Sequence, residues 1–259
     1  MMKISGLYYQ AQQKKILEKI DLNFYAGKMN FILGPNGSGK STLIKICCRQ
    51  MVPSKGLIEM DGTSIDGYKI DQLSRMRAVL SQQPQLDFPL SVSEVIMMGR
   101  YPHFEFSPTK KDYDVCEEVM DLLNLELLKD FPYLKLSGGE KQRVQFARVL
   151  AQIWLHQSES NRYLFLDEPF NNLDIKYQLE FIKLLSKFID DKTHLVATIH
   201  DLNFALQYAD HIVLLQNGSI YAQGDPEDVI NESSVKNVFG VDVELVDTPN
   251  SNRHVLLYK

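Results

Sequence analysis

Apolar residues in this chain fall into two rhythms. Short blocks rich in Val, Ile, Phe and Tyr occupy 18–25, 29–33, 77–81, 162–166, 193–199 and 211–215. Blocks of that length predict strands, and several are too uniformly apolar to keep one face in water. Elsewhere the spacing is three and four. Ile175, Leu179, Ile182, Leu185 and Ile189 share one helical face, as do Val144, Ala147, Ala151 and Trp154. The alternation of strand and helix predicts an α/β fold with a largely parallel sheet covered on both faces.

From about 87 to 157 the strand-like blocks stop and helical spacing continues alone, beginning at Ser91-Val92-Ser93-Glu94, which has capping-box spacing. That change predicts a helical subdomain inserted into a core formed by 1–86 and 158–240. No low-complexity segment, long linker or repeat divides the chain. Residues 1–259 therefore read as a single domain of two lobes with a tail, 241–259, in which 243–258 predicts a small hairpin.

With 259 residues, 44% hydrophobic and 24% charged, the chain has the material for one large core and no signature of disorder. A net charge of -5, with no lysine or arginine run longer than two, leaves no footprint for a phosphate backbone, so no nucleic-acid partner is expected. No apolar stretch approaches the roughly 18 residues of a membrane span, and the start MMKISGLYYQ lacks a signal-peptide pattern. A cytoplasmic location is the expectation. Cys47 and Cys48 are adjacent and Cys116 is distant, which supports neither a disulfide framework nor a four-ligand metal site.

Chemistry enters at Gly34-Pro35-Asn36-Gly37-Ser38-Gly39-Lys40-Ser41, which follows the block 30–33 and leads at Thr42 into helical spacing. Strand, glycine-rich turn and helix are the context of a phosphate-binding loop, where main-chain N–H groups and a helix start face phosphate oxygens. Lys40 is placed to reach the terminal phosphates and Ser41 to ligate magnesium. A plain glycine turn is the alternative, and the flanking elements weigh against it. The block 163–166 delivers Asp167-Glu168 to a strand's carboxyl end, where open parallel sheets bind ligands. Asp167 is assigned to the metal and Glu168 to the attacking water. An isolated acidic pair would more often be a surface turn; beside a phosphate loop that reading loses. His200 ends the block 193–199 and is placed at the terminal phosphate, whereas His194 and His211 take the commoner structural reading.

Leu136-Ser137-Gly138-Gly139-Glu140-Lys141-Gln142 is the string that most resembles the signature of ABC ATPases. Ser137 and Glu140 alone describe a capped helix, but the tandem Gly138-Gly139 is unexplained by capping. The resemblance continues in order. Gln82, with Gln83 beside it, matches the glutamine that senses metal and partner. Asn171-Asn172-Leu173-Asp174 matches the loop after the catalytic glutamate, and His200 matches the switch histidine. An aromatic residue normally stacks on adenine; Tyr8 and Tyr9 both stand near its place, and Tyr9 is taken as the candidate. Phe170 stands where threonine is commoner.

What the resemblance implies is a P-loop NTPase (RecA-like) ABC nucleotide-binding domain with a helical subdomain and an antiparallel β portion, using ATP and Mg2+. Its signature, Ser137, Gly138 and Gly139, would face the phosphate loop of a second copy. Further implied partners are two transmembrane permease subunits and, indirectly, a periplasmic substrate-binding protein, at the cytoplasmic face of the inner membrane. Val95-Ile96-Met97-Met98-Gly99-Arg100-Tyr101-Pro102-His103 looks like the stretch found in importers of iron chelates, haem and vitamin B12. Ala147-Arg148-Val149-Leu150-Ala151-Gln152-Ile153-Trp154, followed by a polar insertion at 157–161, is similar to ATPases of bacterial haem importers, with ferric siderophore or vitamin B12 as the alternative cargo. Soluble ABC machines of repair or translation carry long heptad insertions or tandem cassettes, and neither is present here.

Overall fold

The computed structural model describes residues 1–81, 86, 88–154, 161–171, 173–247 and 254–259. An antiparallel sheet comes first, built from β1 (Met2–Ala11), β2 (Lys14–Phe24), β4 (Lys55–Met60) and β5 (Thr63–Ser64) in the order β2-β1-β4-β5. A six-stranded sheet holds β3 (Met29–Leu33), β6 (Arg77–Leu80), β7 (Arg162–Asp167), β8 (Thr193–Thr198), β9 (His211–Gln216) and β10 (Ser219–Gly224) in the order β10-β9-β3-β8-β7-β6. Its strands are parallel except β10, which returns from β9 as a hairpin.

Period-two alternation in the central strands divides the interior. Phe31 and Leu33, Leu164 and Leu166, Leu195 and Ala197, and Ile212 and Leu214 point to one face. Ile32, Tyr163, Phe165, Val196, Val213 and Leu215 point to the other. On that second face α1 (Lys40–Cys47) lies packed between the two sheets through Leu43, Ile44, Ile46 and Cys47. The first face carries α5 (Gly138–Ile153), α6 (Ile175–Phe188) and α7 (Leu202–Tyr208). It also joins the helical lobe of α3 (Val92–Met97) and α4 (Lys110–Leu122). Between β5 and β6 runs α2 (Ile70–Met76), and α8 (Pro226–Val229) and α9 (Glu232–Phe239) follow β10. The tail forms β11 (Val243–Asp247) paired with β12 (His254–Tyr258). Asn203 on α7 holds it by donating to Leu256 O (3.1 Å) and accepting from Leu256 N–H (2.7 Å).

All six expected strands are present, with β2 beginning earlier at Lys14. The face expected for α6 is corrected in part. Ile182 and Leu185 are buried, but Ile175 is 75% exposed and Leu179 is 38% exposed. Phe181 takes the inward place, its ring centroid 4.0 Å from that of Phe146 and 5.4 Å from that of Phe170. Phe170, the residue that departs from the family pattern, also packs on Phe204 at 4.6 Å, so its size serves the core.

His194 is fully buried and stacks on Tyr163 at 4.5 Å, which agrees with its structural reading. Burial, reinforced by the Met1 amine, pushes its imidazole down to about 4. The unfolded chain protonates this ring near pH 6.5 while the folded chain does not, so stability falls as pH falls between those values. The expected loss is about 2 kcal/mol by pH 5. His194→Phe, which keeps the stacked ring, should flatten this dependence in urea midpoints measured at pH 7 and pH 5. An unchanged slope would remove His194 as its source.

Candidate functional site

The loop between β3 and α1 turns in a conformation that only glycine tolerates at two points. Gly34 has φ +148°, and a Cβ there would stand 2.3 Å from Leu215 O. Gly39 has φ +104°, caps α1 without a side chain, and would drive a Cβ to 2.6 Å from Leu17 Cδ2. The first-turn N–H groups of α1 are thus left without a capping side chain, as an anion site requires. A cavity of about 570 Å³ opens there, lined by Asn36, Gly37, Gly39, Lys40, Ser41 and Thr42 together with Glu168. Pro35 and Ser38 belong to the loop's inner wall. Pro35 O accepts from Ser38 N–H (3.2 Å), and the Ser38 hydroxyl is buried with no hydrogen-bond partner among the described residues.

Lys40 folds back onto the loop, donating from Nζ to Gly34 O (2.7 Å) and Pro35 O (3.1 Å). Burial lowers its pKa, while Glu168 and Asp167 pull the other way. Asp167 ends β7 and Glu168 follows it. Asp167 Oδ1 accepts from Ser41 Oγ (3.0 Å) and from Thr198 Oγ1 (2.8 Å). The same Thr198 oxygen accepts from Glu168 N–H at 2.8 Å, so one hydroxyl at the end of β8 sets the direction of both acids. Glu168 sits at φ 54°, a left-handed conformation uncommon for a non-glycine residue and often found at working sites. Its Oε1 lies 2.6 Å from His200 Nε2, and its Oε2 accepts from Asn171 Nδ2 at 2.5 Å.

The structure therefore brings together the loop Gly34–Thr42, Asp167, Glu168 and His200. It does not bring Tyr9 there. That ring is half-buried against the core below β1, where Tyr9 pairs with Leu17, and the cavity wall is made by Lys14, Lys15 and Ile16. Gln82 lies outside the described residues, as does Asn172. The signature residues form a separate surface. Ser137 caps α5, its hydroxyl accepting from Glu140 N–H (3.4 Å), and Glu140 Oε2 accepts from Ser137 N–H (2.8 Å) and Oγ (2.6 Å). Those hydrogen bonds, the hydroxyl's first, hold the Glu140 carboxyl below the usual range. Among the described residues, a Cβ on Gly138 would meet nothing within 4 Å, and one on Gly139 only Leu173 Cδ2 at 3.9 Å. Packing among the described residues gives no reason for glycine at either place.

Three contributors escaped sequence reasoning. Thr198 carried no signal beyond its place two residues before His200. Asn217-Gly218 lines the cavity, and Gly218 N–H donates to Ser38 O at 3.2 Å. An Asn-Gly pair between apolar runs is a hairpin signal that could have found this brace. Gln142, inside the signature string, donates to Pro169 O and so ties α5 to the loop after Glu168.

A phosphate loop at the carboxyl edge of a parallel sheet, with two acids and a histidine converging on it, defines a P-loop nucleotide hydrolase. The chain matches the ABC transporter family over residues 17–171 and belongs to it. It is 36% identical over 99% of both chains to the hemin import ATP-binding protein HmuV of Escherichia coli O157:H7. Among solved structures it resembles a metal-chelate type ABC transporter in an inward-facing conformation. That likeness has a TM-score of 0.82 at 25% identity, covering 100% of this chain and 98% of the other. It also resembles a dimeric bacterial ABC transporter cassette with a TM-score of 0.73 at 25% identity, covering 87% of this chain and 99% of the other. Like the family's other ATP-binding subunits, the chain is an ATPase. Among the described residues no helix is long and apolar enough to cross a membrane.

Proposed function

We propose that this chain powers a bacterial importer of haem, working as two copies beneath two membrane-spanning permease subunits on the cytoplasmic face of the inner membrane. A periplasmic binding protein supplies the cargo. The observation that carries the hydrolytic part is Glu168, held between His200 and Asn171 at the rim of the phosphate cavity. The cargo rests on the 36% identity to a hemin import protein.

In this reading the loop from Gly34 to Thr42 receives the phosphates of ATP, and the Lys40 ammonium turns from the Gly34 and Pro35 carbonyls to the terminal phosphate. Ser41 and Asp167, two hard oxygen donors already 3.0 Å apart, suit Mg2+, with Gln82 as a further ligand. Bound there, the ion supplies neutralisation of phosphate charge. Glu168 takes up the proton of the attacking water, and His200 fixes the water and the γ-phosphate between them. Ile16 lies at the cavity wall on the side given to adenine, and Tyr9, nearby on β1, stays the stacking candidate. Ser137, Gly138 and Gly139, free of intrachain crowding, cover the γ-phosphate of the other copy. An apolar groove of about 790 Å³ in the helical lobe, lined by Met97, Tyr101, Phe104, Phe106 and Met120, accepts the permease.

The test is uptake of labelled haem by vesicles holding the chain and its co-purified permease, with ATP inside and loaded binding protein outside. ATP-dependent uptake abolished by Glu168→Gln is expected. ATP turnover without haem uptake would retain the ATPase and transfer the cargo to a ferric siderophore or a corrinoid.

A further inference from the structure

We infer that Gln152 is the fulcrum of α5, the fixed point about which the signature end of that helix swings during the ATP cycle, and so a positioning residue for hydrolysis. The inference rests on the proposed function.

At about 1.5 Å per residue, the 16 residues of α5 form a rod roughly 24 Å long. Ser137 and Gly138 at its start are exposed. At its far end Gln152 is bonded in two directions. The side chain reaches into the core lobe, Nε2 donating to Ser74 O (2.7 Å) on α2 and to Arg77 O (3.0 Å) at the start of β6. The main chain reaches into the helical lobe, where its carbonyl accepts from His103 Nε2 at 2.7 Å. A carbonyl has no proton to give, so the His103 Nε2 carries one.

The neighbours tighten the same seam. Arg75 Nε donates to Pro102 O (2.8 Å), and Arg100 donates to Ala151 O (2.7 Å). Gly99 lies so close to α5 that a Cβ would stand 2.1 Å from Arg148 O.

Among the described residues, side-chain hydrogen bonds from α5 to the core lobe come from Gln142, in its second turn, and from Gln152, at its far end. They differ in what they hold. Gln142 grips Pro169 O, the residue after Glu168, and so a place where nucleotide acts. Gln152 grips the main chain of α2 and of a sheet strand, which is part of the frame. Between them α5 meets the core through apolar contacts such as Phe146 on Phe181, which shift by small slides more readily than directional bonds break. A turn of about 10° at Gln152 would then carry Ser137 through about 4 Å.

Gln152→Met keeps the length and removes the donor; Gln152→Lys restores a donor on a similar stem. Spin labels at Glu126→Cys and Lys55→Cys sit on exposed positions of the two lobes, and the three native cysteines are buried. In the full chain, Gln152→Met should broaden the interlobe distance distribution without nucleotide and lower kcat about tenfold, leaving KM for ATP near wild type. Gln152→Lys should recover both. Wild-type distances and kcat in Gln152→Met would overturn the fulcrum, as would a loss of kcat explained by a matching loss of thermal stability. Absence of ATP hydrolysis by the wild type would count against the proposed function alone, because the nucleotide-free distance distribution still decides the role of Gln152.

Discussion

Glu168→Gln should bind ATP with wild-type affinity and hold it in a stable dimer while turnover falls by a factor of about 10² to 10⁴, the usual worth of a positioned general base. An amide has the shape of the carboxylate, so it can still meet His200 and Asn171, which lie 2.6 and 2.5 Å from the two oxygens. What it lacks is a site for the proton of the attacking water. In barrier terms the loss is about 3–5 kcal/mol in kcat with none in KM. Single-turnover phosphate release, with gel filtration in ATP, measures both parts. A variant that turns over at more than about a tenth of the wild-type rate would displace Glu168 from the role and favour a water held by His200 alone.

How far this site could be read from sequence depended on whether each contact was local. The loop from Gly34 to Ser41 is contiguous, and its glycines are required by backbone angles, so residue type and spacing sufficed. Asp167, Glu168 and His200 were legible because parallel strands deliver their ends to one edge. Thr198 is a different case. Its hydroxyl orients both acids across the register of β7 and β8, where Asp167 stands opposite Thr198, and register leaves no mark on a single strand. The place of adenine depends on register in the same way. Irregular pairing of β1 with β2 around Gly6 and Tyr9 sets which residues reach the cavity, and counting residues between Tyr9 and Leu17 cannot reveal it.

The same limit explains the fold's misread parts. Strands β1, β4 and β10 belong to antiparallel pairs with one face toward solvent, and their apolar residues alternate with polar ones instead of forming blocks. On α6 both the stripe through Leu179 and the stripe through Phe181 have helical spacing. Only the rings of Phe146 and Phe170 select the second. Beside its family resemblance, the stretch 95–103 offers the plain reading of a helix ending at Gly99 with a turn at Tyr101 and Pro102, which leaves its particular residues unexplained. Its reasons are packing of Gly99 on α5, Arg100 in a buried ion pair, and His103 on the Gln152 carbonyl.

That ion pair supports a large stability effect. Arg100 is 2% exposed, and its Nε donates to Asp112 Oδ1 at 3.0 Å. Asp112 is also 2% exposed and accepts from Thr109 N–H (2.9 Å) and Oγ1 (2.6 Å). Burial alone would raise the Asp112 pKa, but the Thr109 bonds and the Arg100 charge outweigh it and hold the carboxyl below its ordinary value. Asp112→Ala leaves the guanidinium buried with main-chain acceptors, the Ala151 carbonyl chief among them, and no counter-charge. Removing one partner of a buried pair typically costs about 3–5 kcal/mol. For a chain of this size that lowers Tm by roughly 6 to 20 °C. Replacing both partners, as in Arg100→Met with Asp112→Leu, should cost less than Asp112→Ala alone, since no charge is then stranded. Urea unfolding of the variants separates the alternatives. If Asp112→Ala loses under about 1 kcal/mol, the brace between the Gly99–His103 segment, α4 and the end of α5 is not electrostatic, and packing alone must hold the helical lobe.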